Sequence, residues 1–145
     1  MLNVAAPHHP LLTEMQQMNG HQLMLMISYC SWMGEVRALQ QSAQRVMGLG
    51  IKALCTPTEQ APNDPLRINT LSPRELYTLL HSFAFMQLTI DIKYLHMAHM
   101  AVERCSWMYR KADAMKMMFI LQRLQHMPPA LSTTWPIQGR LLQVR

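Results

Sequence analysis

Three prolines in fifteen residues divide this chain. The stretch Thr56–Thr70, TPTEQAPNDPLRINT, carries Pro57, Pro62 and Pro65, and its Asn63-Asp64-Pro65 is turn chemistry. No regular element crosses it. On either side, apolar residues recur at three- and four-residue spacing, the period of a helix with one buried face. Leu12, Met15, Leu23, Met26, Ile27, Cys30 and Met33 begin the first series, and Val36, Leu39, Ala43, Val46 and Met47 continue it. Gly20 and Gly34 interrupt it, and Gly48 and Gly50 mark its expected end. The first half therefore predicts two helical pieces, or one helix bent near Gly34.

The second half opens on a stronger signal. In Ser72-Pro73-Arg74-Glu75, Ser stands at an N-cap, Pro at the first helical position, and Glu where it reaches back to the cap amide. Leu76, Leu79, Leu80 and Phe83 then supply an apolar face. From Met86 to Tyr94 the pattern is ambiguous. Met86, Leu88, Ile90, Ile92 and Tyr94 alternate with polar residues, which is strand period. Leu88, Ile92, Leu95 and His99 also fit helical spacing, and no second strand is present to pair with. Helix is the better expectation, continuing from Leu95 to His126 until Pro128-Pro129 stop it.

The expected fold is all-α: a small bundle of four to five helices in two layers joined by the Pro-rich linker. As one domain over 1–145, it has a flexible arm at 1–10 and a helical half at 11–55. The linker at 56–70, a second helical half at 71–127 and an irregular tail at 128–145 follow. Cys30-Ser31-Trp32-Met33 recurs as Cys105-Ser106-Trp107-Met108, 75 residues on, and the same shift pairs His21 with His96 and Leu49 with Leu124. A duplicated helical unit would produce this, and so would coincidence in a biased composition, which is the plainer reading.

Composition narrows the function classes. Half of the 145 residues are apolar and only 14% are charged, which excludes a disordered chain. So few charges leave two ways to finish the surface: neutral polar side chains, or a second chain that covers apolar area. The net charge is +5, but the basic residues are scattered, so nucleic acid is not indicated as a partner. Three cysteines, Cys30, Cys55 and Cys105, do not form a disulfide framework and predict free, inert thiols. Neither a signal peptide nor a transmembrane span is visible, so the expected location is cytoplasmic.

No nucleophile elbow, metalloprotease motif, dinucleotide fingerprint or phosphate loop occurs. The eight acids are mostly isolated, without a carboxylate dyad. The expectation is a protein that is not an enzyme. Fifteen methionines raise a metal alternative. His96, Met97, His99 and Met100 form HMAHM, with the histidines on one helix face and the methionines on another. Imidazole and thioether are copper ligands. Met15, Met18, His21 and Met24 repeat the idea at spacing three. Ordinary core methionine explains both strings more simply. His8-His9 is a weak chelating pair.

The remaining reading is association with another protein chain, self or heterologous. Trp32, Trp107 and Tyr109 are residues that anchor interfaces, although core packing is the commoner place for a tryptophan pair. Leu76, Leu80 and Phe83 complete the candidate contact set. The segment Asn63–Glu103 resembles the C-terminal helix of type III secretion inner-rod subunits, through Leu71-Ser72-Pro73, Leu76, Leu79 and the aliphatic run Leu88, Ile90, Ile92. The resemblance covers under a third of the chain. It implies a helical subunit that assembles with its own kind, although such subunits end soon after this helix and carry lysines late in it that are missing here. The function expected is therefore a non-enzymatic helical assembly component, adaptor or small chaperone, in a setting such as a bacterial secretion apparatus. The alternatives are a copper-binding helical protein and a dimeric DNA-binding regulator.

Overall fold

The computed structural model describes residues 10–126. The arm before Pro10, His8 and His9 within it, and the tail at 128–145 lie outside the described residues. The fold is all-α. Six helices follow in order: α1 (Pro10–Gln17), α2 (Gly20–Met33), α3 (Gln40–Leu54), α4 (Pro73–Phe85), α5 (Ile92–Arg104) and α6 (Lys111–Gln125). Short 3-10 turns stand at Arg37–Leu39, Arg67–Thr70 and Ser106–Met108, and no strand occurs among the described residues.

The helix starts are chemically specified. Asn19 caps α2 by accepting from the Gln22 amide while the Gln22 side chain accepts from the Asn19 amide. Ser72 and Glu75 make the same reciprocal pair at α4, as their order in the sequence predicts. Asp91 caps α5 by accepting from Lys93 N. Pro10 occupies the first position of α1, where its missing N–H costs nothing.

Helix α2 packs against α3 on one side and α4 on the other, and α4 packs against α6. The resulting row is α3–α2–α4–α6, and the α2–α4 contact joins the halves on either side of the prolines. α1 rests against α3, and α5 against α6, α4 and the Arg67–Thr70 turn. One continuous core runs through the row, with Ile27, Met47, Leu54, Leu79, Leu80 and Phe83 fully enclosed.

Four sequence expectations need correction. Gly48 and Gly50 do not end α3, which runs four residues past Gly50. Gly50 lets α2 approach: a Cβ there would sit 2.8 Å from Ile27 Cγ1. The expected helix over 86–94 is absent from 86 to 91 and starts only at Ile92. α4 stops at Phe85 through a Schellman turn in which Leu88 N donates to Phe83 O and Gln87 N to Ala84 O. Gln87 occupies the left-handed region at φ 54° that glycine usually fills. The chain then runs extended to Asp91, so the strand-like alternation is that of a half-covered linker, with Ile90 buried and Thr89 exposed.

The expected helix from Leu95 to His126 is also broken, at Cys105–Arg110, where Tyr109 turns in against the core. Ser106, Trp107 and Tyr109 are weaker helix formers than the Glu, Arg, Met and Lys residues that flank them. A fourth correction is the break at Met18–Asn19, which divides the first half into three helices where two pieces were expected and brings the count among the described residues to six. The 56–70 linker ends in an ordered 3-10 turn with Arg67 and Ile68 buried.

Arg67 is the main tie across that linker. Its Nη1 donates to Met15 O at 2.6 Å and Met18 O at 2.9 Å, and its Nη2 donates to Ala53 O at 2.7 Å. These carbonyls belong to the C-terminal ends of α1 and α3, where helix dipoles favour a cation. Both Nη groups thus find partners without a carboxylate while the buried Nε has none, and burial lowers the pKa from the ordinary arginine value.

Candidate interaction surface

Helix α4 has two apolar faces. Leu76, Leu79, Leu80 and Phe83 turn into the core. Of these, Leu76, Leu80 and Phe83 are at most 1% exposed, so as candidate interface residues they are corrected to core. Tyr77, His81 and Phe85, each four residues apart, line the opposite face. Their rings follow one another along the helix, with centroids 5.7 Å apart for Tyr77–His81 and 6.3 Å for His81–Phe85. Phe85 stands 49% exposed.

This aromatic ladder has a groove on either flank. Toward α2, Ser28, Ser31 and Trp32 face Thr78 and Phe85. Toward α6, a groove of about 530 Å³ is walled by Met115, Phe119 and Arg123, with Ala84 and Ile120 at its floor. Arg74, Met108 and Tyr109 meet Tyr77 at the start of both helices. The early turns of α4 and α6 share that depression and their later turns share the α6-side groove, so the two helices run side by side in the same direction.

Trp32 is 69% exposed and Trp107 80% exposed. The core expected for this pair is not where they lie. Each follows a cysteine at a helix end, but the two copies of Cys-Ser-Trp-Met differ locally. Cys30–Met33 is the last turn of α2, whereas Cys105 caps α5 and Ser106–Met108 is a 3-10 turn. Leu25, Tyr29, Met33 and Val36 extend the apolar surface along α2. Tyr109 is half-buried, and its hydroxyl pKa is pushed up by burial and by the neighbouring Cys105 thiol.

At the Tyr77 end of the ladder Asp113 lines the depression with Arg74 and Lys116, whereas farther along charge is one-sided. The α6-side groove is lined by Lys116 and Arg123 and by no acid. The ion pairs among the described residues are His21–Glu75 and His99–Glu103, and neither touches these cations. His21 Nδ1 bonds Glu75 Oε2 and so fastens the start of α2 to the start of α4. Burial of Glu75 works to raise its pKa, but the Ser72 amide and His21 outweigh it and hold the carboxyl below its ordinary value.

No family model, curated protein or solved structure matches the chain.

The proposed copper ligands are divided. His96 and His99 line one groove between α5 and α6, together with Met118. Met97 packs on the core, and Met100 is exposed outside the groove lining. The second string is split by the α1–α2 break: Met15 and Met24 are buried, Met18 packs on the core, and His21 is held by Glu75. No group of three or more His, Cys, Asp or Glu side chains that could hold a metal ion forms among the described residues. Cys30 and Cys55 are buried, with the Cys55 thiol pushed up to about 12 by burial. Cys105 is half-buried and donates to Ala101 O. No described helix is long and apolar enough to cross a membrane.

The sequence did carry a signal for the ladder. Tyr77, His81 and Phe85 form a second stripe at spacing four, opposite the leucines. Phe119 and Met115 repeat that spacing on α6.

Proposed function

We propose that the protein is a helical interaction subunit that works by association rather than catalysis, as an assembly component, adaptor or small chaperone. The observation that carries this reading is the aromatic face of α4, where His81 and Phe85 stand exposed beyond the partly buried Tyr77, between Trp32 of α2 and Phe119 of α6. Contiguous apolar surface of this kind on a folded domain marks a contact site. Aromatic residues with two rotatable side-chain bonds lose little entropy on docking and contribute large contact area.

The test compares the wild type with a Phe85→Ser, Phe119→Ser double variant. Light scattering after size exclusion and binding of a hydrophobic dye are the readouts. Both replaced side chains are half exposed, so the fold survives the change. The isolated wild type, lacking its partner, binds the dye and aggregates without defined stoichiometry as concentration rises, and the double variant does neither. A wild type that stays monodisperse at high concentration and ignores the dye refutes the reading.

A further inference from the structure

We propose that the groove between α4 and α6 receives an acidic amphipathic helix supplied by a different protein. The inference rests on the association reading and adds the chemistry of the partner. Tyr77, His81 and Phe85 form one wall, and Met115, Phe119 and Arg123 form the other, each a row at spacing four. Two such parallel rows make the furrow into which the ridge of a third helix packs. A row of nine residues spans about 12 Å, so the occupant engages about two turns. Ala84, 1% exposed, keeps the floor low and leaves room for a large apolar anchor.

Charge selects the occupant. Lys116 and Arg123 lie seven residues apart along α6, roughly 10 Å; Asp113, one turn before Lys116, lines the adjoining depression but not this groove, and neither cation is in an ion pair among the described residues. A helix bearing Glu or Asp about seven residues apart on the flank of its apolar face would pair both cations while its apolar side chains enter the furrow.

A second copy of this chain fits poorly. A two-fold pairing through this face would set Lys116 and Arg123 against themselves. A head-to-tail pairing needs an acidic helix, and no helix among the described residues carries more than one acid: Glu14 in α1, none in α2 or α3, Glu75 in α4, Glu103 in α5 and Asp113 in α6. Residues 1–9 and 127–145 contain no acid at all. Nucleic acid would use stacking on open ring faces. Here the rings stack on one another, and the floor is aliphatic.

The experiment is a selection from a displayed library of amphipathic helices against the full chain. The library has a fixed Leu/Phe face and flank positions free to be Glu or Lys. Helices with Glu flanks are enriched at 0.15 M salt (on the order of a one-nanometre Debye length). A synthetic winner loses roughly tenfold or more in affinity with Phe119→Ala, the scale of an interface anchor. A Lys116→Glu, Arg123→Glu variant reverses the preference toward Lys flanks. Circular dichroism confirms that both variants remain folded.

Enrichment of Lys flanks, or no charge preference with binding still lost in Phe119→Ala, overturns the acidic partner and leaves the association reading standing. No enrichment of any helix overturns the helical occupant. Tight retention of a single-stranded oligonucleotide, lost in Phe119→Ala, reassigns the face and overturns the proposal. Dye binding and light scattering of the wild type report separately on the association reading.

Discussion

Replacing Arg67 with Met should loosen the whole first half of the fold. The guanidinium makes three hydrogen bonds of 2.6 to 2.9 Å to main-chain carbonyls at the ends of α1 and α3. Bonds to a charged donor are worth about 1.5–3 kcal/mol each, so the gross contribution is roughly 5–9 kcal/mol. Desolvating the guanidinium offsets several kcal/mol of that. The net loss expected for Arg67→Met is about 3 kcal/mol, since Met replaces the buried stem but leaves the carbonyls without their donor. For a chain of this size that corresponds to a fall of roughly 6–12 °C in Tm. Arg67→Lys keeps the charge but not the planar fork, and reaches fewer carbonyls, so it should lose about 2 kcal/mol. Urea unfolding followed by circular dichroism gives both numbers, and amide hydrogen exchange locates the effect. α1 rests mainly on α3, so its amides should lose protection first. An Arg67→Met variant within about 1 kcal/mol of wild type, or an Arg67→Lys variant equal to wild type, would refute the fork argument.

Two other expectations follow from local geometry. Gln87 holds the left-handed position of the Schellman turn, so Gln87→Gly removes a strain of about 1–2 kcal/mol and adds somewhat less than 1 kcal/mol of unfolded-state entropy. The variant should gain up to about 1 kcal/mol in urea unfolding, and a loss would place the strain elsewhere. Glu75 has a folded pKa below its ordinary value of 4.5, so its ionised form stabilises the fold above that pH. That contribution is lost as pH falls below about 4.5 and through the lowered folded value. Glu75→Gln keeps an acceptor for the Ser72 amide but not the charge, so it should flatten this part of the acid limb of the stability curve. An unchanged acid limb would dissociate it from the His21–Glu75 pair.

How much of this was legible in the sequence depends on where the signal was written. The start of α4 was fully legible, because Ser72, Pro73 and Glu75 act on neighbours within one turn. The end of α4 was not. Helix stops are usually read from Gly or Pro, and here Gln87 takes the glycine place, held there by the Leu88 and Gln87 amide bonds to Phe83 and Ala84. The glycines misled in the opposite direction. Gly50 is small because Ile27 lies against it, a contact between helices that no local pattern records. Arg67 was hidden for the same reason: its partners lie 52, 49 and 14 residues away in the chain.

The misplaced interface shows the rule that decides such cases. On α4 two stripes compete for the core, one of Leu76, Leu79, Leu80 and Phe83, the other of Tyr77, His81 and Phe85. Aliphatic side chains carry no polar atom to satisfy, whereas Tyr and His each bring one or two that must find partners if buried. The aliphatic stripe therefore turns inward and the mixed stripe outward. Candidate contact residues in a chain like this should accordingly be sought on the less aliphatic of two apolar stripes. The poverty of acids points the same way. With at most one acid on each described helix, Asp113 stands one turn from Lys116 in the adjoining depression, but no acid lines the groove that holds Arg123, and the charge that complements that groove has to come from outside.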